Sequence, residues 1–294
     1  MGWDRLIRFI GEDGLSHYGE PQISFADDLQ SLLAEGKLIA REIVGQDIFT
    51  ASPTDNLLKV KRLTGPLSFW EVPIFRCVGL NYGEHIKETG RKPPPYPSIF
   101  IKSSRCAAGW DEDIAIPKIA QRDQLDYEGE LAIVIGKEGK NISTKDALDY
   151  IAGYTVANDV SARTWQRDPA FAGSIPQWCF SKGFDSWAPM GPMLVSAKIL
   201  GAADSLTLRT KVNGHLRQNA NTNDLVFGVR EIIAFVSQGT TIEKGSVILT
   251  GTPGGVILGM QSPKWLADGD VVEVVITGIG KISNKMVFND ADSA

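Results

Sequence analysis

Cysteine is scarce in this chain of 294 residues, which has three. Cys77, Cys106 and Cys179 are an odd number without metal-like spacing, which argues against a disulfide framework and fits reduced thiols packed as small hydrophobes. Long apolar runs are missing as well, and none approaches the roughly 18 residues that span a bilayer. Positive charge is not in excess. A formal charge of −5 gives no electrostatic reason to expect nucleic acid or an anionic membrane as a partner. The opening MGWDRLIRFIGEDG sets Asp4, Arg5 and Arg8 among its apolar residues and has no signal-type apolar core. Leu6 stands where an N-myristoylation motif has Ser or Thr, so a cytoplasmic protein is expected. Internal repeats and low-complexity segments are absent, and helical periodicity is thin.

What is present is an ordinary globular composition, 43% hydrophobic and 22% charged, enough for one large core. LIRFI, the turn GEDG and KLIAREIVG read as a small β-rich N-terminal domain over residues 1–72, with a change of composition near Pro73 opening a larger domain over 73–294. There strand-like runs recur: RCVGL, SIFIK, ELAIVIG, YTVANDV, PMLVS, LTLRTKVNG, SVILTG and DVVEVVITGIG. Asn213-Gly214 predicts a hairpin turn. TKDALDYIAG, with Thr144 as N-cap, and DLVFGVREIIAFVSQG are the best helical stretches. Strands without regular βαβ alternation predict a mixed β with α fold (α+β), mostly antiparallel.

The chemistry is concentrated in LDYEGELAIVIG, residues 125–136. Side chains alternate along a strand, so Asp126, Glu128 and Glu130 are expected on one face, continued by Ala132 and Val134, with Tyr127, Leu131, Ile133 and Ile135 on the other. Carboxylates beside a two-sided apolar strand repel one another and lose hydration, which calls for protonation or for a cation among them. A second strand, AGYTVANDVSAR, ends in Asn158 and Asp159, and either Asp159 or Asp126 would complete a three-carboxylate set. All-oxygen ligands favour Mg²⁺ or Mn²⁺ over Zn²⁺. The alternative is that these are solvated strand-end acids.

GLNYGEHIKETG, DYEGELAIVIGK, GYTVANDVSAR, SKGFDSWAPMGP and LTGTPGGV occur in this order, and together the set resembles the fumarylacetoacetate hydrolase family from about Phe75 to Val287. The resemblance implies a β-roll catalytic domain, a homodimer, and one Mg²⁺ or Mn²⁺ per subunit on Glu128, Glu130 and Asp159, leaving Asp126 a structural part. The longer N-terminal domain and additional aspartate ligand of fumarylacetoacetase itself are not matched. The pattern around His85 is instead similar to that of acylpyruvase-like and oxaloacetate-decarboxylase-like members.

His85 and Glu88 stand three apart, so on a short helix they share a face, and a carboxylate-oriented imidazole suits a general base. The resemblance makes Lys182 the active-site lysine that balances negative charge. Arg163, Gln166, Thr252 and Lys102 are the expected substrate-binding residues. The reaction implied is metal-dependent hydrolysis of a C–C bond in a β-diketo acid of the acylpyruvate type, the metal and Lys182 stabilising the enolate that cleavage leaves. Alternatives are an oxaloacetate decarboxylase, a keto-enol isomerase, or a non-catalytic metal and carboxylate binder. RKPPPYPS, residues 91–98, is a candidate lid.

Overall fold

A computed structural model describes residues 2–26, 28–88, 90 and 92–289, with the side chains of Asp28 and Glu88 undescribed. Strands β1 (Arg5–Gly11) and β2 (Ser16–Pro21), helix α1 (Asp28–Ala34), and strands β3 (Ile39–Ile43) and β4 (Pro53–Leu63) come first. They run in the order β2-β3-β4-β1, and β1 also pairs with β2, so the four strands close on themselves. Ile7 and Phe9 of β1 are buried among Leu29, Leu38 and Val60. Arg5 and Leu6 pair outward, with Val195 and Leu194, which joins this unit to the main sheet. We propose that the boundary near residue 72 separates two units that share this sheet.

The larger part begins with β5 (Phe75–Gly79), α2 (Gly83–Glu88), β6 (Ser98–Lys102), β7 (Ala107–Ala108) and β8 (Ile114–Ile116). Next come β9 (Leu125–Asp126), β10 (Gly129–Ile135), β11 (Gly139–Lys140), β12 (Ile151–Asn158) and β13 (Ser161–Ala162). Three short helices, α3 (Arg163–Arg167), α4 (Pro169–Ala172) and α5 (Trp178–Lys182), lead to β14 (Ala188–Val195) and α6 (Ala197–Leu200). The chain ends with β15 (Thr207–Val212), β16 (His215–Asn221), α7 (Val229–Val236), β17 (Thr241–Ile242), β18 (Val247–Leu249), β19 (Val271–Ile276) and β20 (Gly280–Phe288).

Among the described residues the main sheet has eleven strands, and β10 lies near its middle between antiparallel β12 and β18. Every residue of β10 is buried. Its two faces feed two cores: Leu131, Ile133 and Ile135 join one, and Ala132 and Val134 the other. A second sheet, β16-β15-β19-β20-β8, contributes Leu208, Val274 and Ile282 to the core shared with Leu131. This sheet-dominated α+β architecture is the one expected from the strand pattern. No helix among the described residues is long and apolar enough to cross a membrane.

The Asn213-Gly214 turn joins β15 to β16 with φ of 50° and 78°, the two positive values that a tight hairpin requires. Helix α7 buries Val229, Ile232, Ile233 and Val236, the i, i+3, i+4, i+7 stripe of an amphipathic helix. The helix expected over 144–153 is absent. Only Ala147–Tyr150 coil, as a 3₁₀ turn that Thr144 does not cap, and Ile151 already starts β12. Ile151, Tyr154, Thr155 and Val156 are β-branched or aromatic, and pairing along the whole length of β10 outweighs the local helical pattern.

Candidate active site

Strand pairing assembles the site. Gly129 faces Asn158 across the β10–β12 ladder, and just beyond it the Asp159 amide donates to the Glu128 carbonyl at 2.8 Å. The Asn158 side chain accepts from the Glu128 amide at 2.9 Å, fixing the turn into β10. Carboxylate oxygens of Glu128, Glu130 and Asp159 thereby lie within 4.8 Å of one another. Asp126 departs from the single face expected of it. β9 pairs with β13 rather than continuing into β10, so the alternation breaks at Tyr127 and Glu128. The Asp126 carboxylate turns to Arg163 Nε at 2.8 Å and to the amides of Ile257 and Leu258 at 2.9 and 3.1 Å.

Three cations press on this cluster. Lys182 Nζ donates to Glu128 Oε2 at 2.7 Å, Asp159 Oδ2 at 2.8 Å and Ser161 Oγ at 2.7 Å. Lys102 Nζ donates to Asp159 Oδ1 and to the Trp187 carbonyl, both at 2.6 Å. Arg163 Nη2 forms an ion pair with Glu128 Oε1 at 2.7 Å, and its Nη1 donates to Gln166 Oε1 at 3.1 Å. Among the described residues four carboxylates thus meet three cations, and Glu130 is the one without a cationic partner; its Oε2 accepts from the Gly251 amide at 2.6 Å. Gly251 has φ of 100°, and a Cβ there would come within 2.9 Å of Asn81 Cβ, so glycine is what lets this backbone approach.

The titration behaviour follows the same imbalance. Burial would push the Glu128 carboxyl up, but the charges of Lys182 and Arg163 prevail and hold it at about 2. Burial raises the Glu130 carboxyl well above its ordinary range, and the neighbouring Asp159 and Glu128 charges raise it further. For Lys182 burial alone would lower the pKa, yet Asp159 and Glu128 more than reverse that. A compact oxygen cage short of one positive charge fits a hard divalent ion, which Glu128, Glu130 and Asp159 would hold.

A proton-release test follows from this fit. A carboxyl raised in the folded state keeps its proton above the unfolded pKa, and a bound cation displaces that proton. Loading with Mg²⁺ or Mn²⁺ is expected to release protons over the pH range in which Glu130 still holds its own. Calorimetry in buffers of different ionisation enthalpy reads this directly, and Glu130→Gln should abolish the release. The ion should stabilise the fold least below the carboxylate range, where its ligands are protonated.

A cavity of about 380 Å³ opens beside the cluster. His85, Glu128, Arg163, Gln166, Lys182 and Thr252 all line it, so six of the residues singled out in the sequence meet at one cavity. His85 comes from helix α2, Arg163 and Gln166 from α3, and Lys182 from the end of α5. Thr252 is held between the Gly129 carbonyl, to which its hydroxyl donates at 3.0 Å, and Gln218 Nε2, from which it accepts at 2.8 Å. Lys102, expected to bind substrate, is not on the wall; it is buried behind Asp159. Glu88 ends α2, but its side chain lies outside the described residues, as does Arg91 of the candidate lid.

The sequence reading missed several residues. Gln218 also accepts from the Gly129 amide at 3.0 Å and is the one buried residue of strand β16, which nothing in the sequence HLRQNAN announces. Phe100 and Trp178, which meet edge to face at 5.5 Å, form an apolar wall with Leu80 and Leu258. No local motif marks these four.

Residues 75–287 match the family model described as fumarylacetoacetate (FAA) hydrolase C-terminal. The caffeoylpyruvate hydrolase of Neonothopanus nambi is 42% identical over 291 residues, which are 96% of this chain and 92% of that protein. The mitochondrial oxaloacetate tautomerase fahd2 of Xenopus laevis is 44% identical over 211 residues, 72% of this chain, and the match spans only 64% of that longer protein. In structure, the chain is similar to 2-hydroxyhepta-2,4-diene-1,7-dioate isomerase from Mycobacterium marinum, with a TM-score of 0.79 and 34% identity over 98% of this chain and 99% of that one. It also resembles fumarylpyruvate hydrolase from Pseudomonas aeruginosa in complex with Mn²⁺ and pyruvate, with a TM-score of 0.66 and 28% identity over 80% of this chain and 93% of that one. With its family model matching residues 75–287 and relatives named as hydrolase, tautomerase and isomerase, the chain is an enzyme of the fumarylacetoacetate hydrolase family.

Proposed function

We propose that the chain is a Mg²⁺- or Mn²⁺-dependent hydrolase that cleaves a C–C bond in acylpyruvate-type β-diketo acids. The observation that carries this reading is that His85, Lys182 and Glu128 line one cavity together with apolar side chains, among them Phe100, whose ring centroid lies 5.4 Å from Lys182 Nζ, that can receive an acyl group. The metal, when bound, supplies Lewis acidity to a substrate carbonyl. Lys182 keeps a fixed positive charge beside Glu128 and Asp159, where negative charge develops as the bond breaks. Arg163, clamped by Asp126, holds Glu128 and Gln166 in place for binding the keto-acid end. His85 takes a proton from water, and the hydroxide adds to the distal carbonyl. The C–C bond then breaks, its electron pair going to the pyruvate carbon, which is protonated to give pyruvate beside a carboxylic acid. A cytoplasmic homodimer belongs to the same proposal.

A second reading is supported by the relatives named oxaloacetate tautomerase, whose 211 matched residues are 44% identical to this chain. The same His85 would then shuttle a proton between carbon and oxygen, with no water consumed and no C–C bond broken. Incubating the protein with a panel of acylpyruvates and oxaloacetate, with Mg²⁺ and with chelator, and analysing products by mass spectrometry separates the two. Pyruvate plus a carboxylic acid supports hydrolysis; unchanged mass with loss of enol absorbance supports tautomerisation. His85→Ala is expected to cut acylpyruvate turnover by about 10²- to 10⁴-fold. Full activity in that variant would remove His85 from the mechanism.

A further inference from the structure

We infer that Arg167 is a specificity-determining residue that binds a second anionic group, a carboxylate at the far end of the acyl chain, so that the preferred substrates are dicarboxylic acylpyruvates. This rests on the reading that the cavity binds keto acids. Arg167 lines the cavity from the last position of helix α3 and is itself exposed. Arg163 lies four residues earlier, so the two share a helix face and are offset by about 6 Å along the axis.

The surroundings of the two arginines differ. Arg163 is buried, its Nε donating to Asp126, its Nη1 to Gln166, and its Nη2 forming an ion pair with Glu128. Arg167 has no ion pair or side-chain hydrogen bond among the described residues. The adjacent Asp168 is not its partner, because its carboxylate caps helix α4 by accepting from the Ala170 amide at 2.9 Å. The other cation on the wall, Lys182, is held by Glu128 and Asp159. Arg167 is thus the one cation on this wall whose donors are open to a ligand, and a guanidinium accepts a carboxylate through two parallel hydrogen bonds.

Phe100, Trp178 and Leu258 line the same cavity as Arg167, so a substrate whose keto-acid end lies at Glu128 and Lys182 finds apolar surface for its acyl chain and one open guanidinium for a terminal carboxylate. A short acyl group such as acetyl carries no group for that guanidinium.

Binding and turnover test this separately. In the Mg²⁺-loaded protein, calorimetry compares 2-oxoadipate with 2-oxohexanoate, which share one keto-acid end and differ in the terminal carboxylate. The parent is expected to favour the diacid by about ten- to a hundredfold, and Arg167→Gln to bring that ratio close to one. Arg167→Lys should restore part of it. The same ratio is then read as kcat/KM for fumarylpyruvate against acetylpyruvate, with the change falling mainly in KM. An equal ratio in parent and Arg167→Gln, or no preference in the parent, overturns the assignment of Arg167. If neither acylpyruvate is cleaved but the binding ratio still depends on Arg167, the hydrolase reading fails while the anion site stands.

Discussion

Replacing Lys182 with methionine is expected to slow turnover by about 10²- to 10³-fold while tightening the binding of Mg²⁺ or Mn²⁺. The two effects have opposite signs because the ammonium group stands in two relations at once. Its Nζ lies 2.7 Å from Glu128 Oε2 and 2.8 Å from Asp159 Oδ2, so it competes with an incoming cation for the field of those carboxylates. Methionine is of similar length and apolar, and its substitution leaves the cluster one unit more negative. At an effective dielectric typical of such sites, a change of one charge at this distance tightens a divalent ion by tenfold or more. The same substitution removes the fixed positive charge that faces the cavity. Titration of the ion, followed by fluorescence or calorimetry, is to be set beside kcat on the substrate identified by the panel. A variant that loses metal affinity together with activity would show instead that Lys182 mainly orders the ligands.

Asp126→Ala is expected to destabilise the protein by about 3 to 5 kcal/mol. The carboxylate is wholly buried and accepts from the Tyr127, Ile257 and Leu258 amides as well as from Arg163 Nε. Its removal orphans two amides beyond the neighbouring residue and leaves a buried guanidinium with Glu128 as its remaining carboxylate. Urea unfolding at unchanged slope measures the loss. In Asp126→Ala/Arg163→Met the buried charge is gone along with its partner, so the double variant should recover part of the deficit. A loss below about 1 kcal/mol for Asp126→Ala would mean that water replaces the carboxylate.

How much of this was legible beforehand depended on whether the deciding contacts are local. The apolar alternation from Leu131 to Ile135 announces a strand covered on both faces, and the two cores receive it accordingly. Glu128 and Glu130, two apart, and Asp159 after its own strand, announce a cluster because strand geometry alone brings them near. Asp126 belongs to the same alternation on paper. Its turn away is dictated by pairing with Ser161 of β13, a partner that lies 35 positions on and carries no marker. The stretch from Thr144 has helical spacing, yet long-range pairing of Ile151–Asn158 with β10 takes its last three residues. Lys102 was visible as a lysine in a strand, but only the fold shows that it faces Asp159 and the Trp187 carbonyl. The apolar cavity wall was not legible at all, since Leu80, Phe100, Trp178 and Leu258 come from four separate segments.

The pairing of Arg5 and Leu6 with Val195 and Leu194 means that the opening segment closes one flank of β14, whose other flank is occupied by β12. Stripped of that cover, Leu194 and Val195 would present unpaired backbone groups on an apolar strand, the kind of edge an extended chain can pair with, while β7 still pairs with Ala188 and Pro189. The amino-terminal unit thus covers a short open edge of the main sheet.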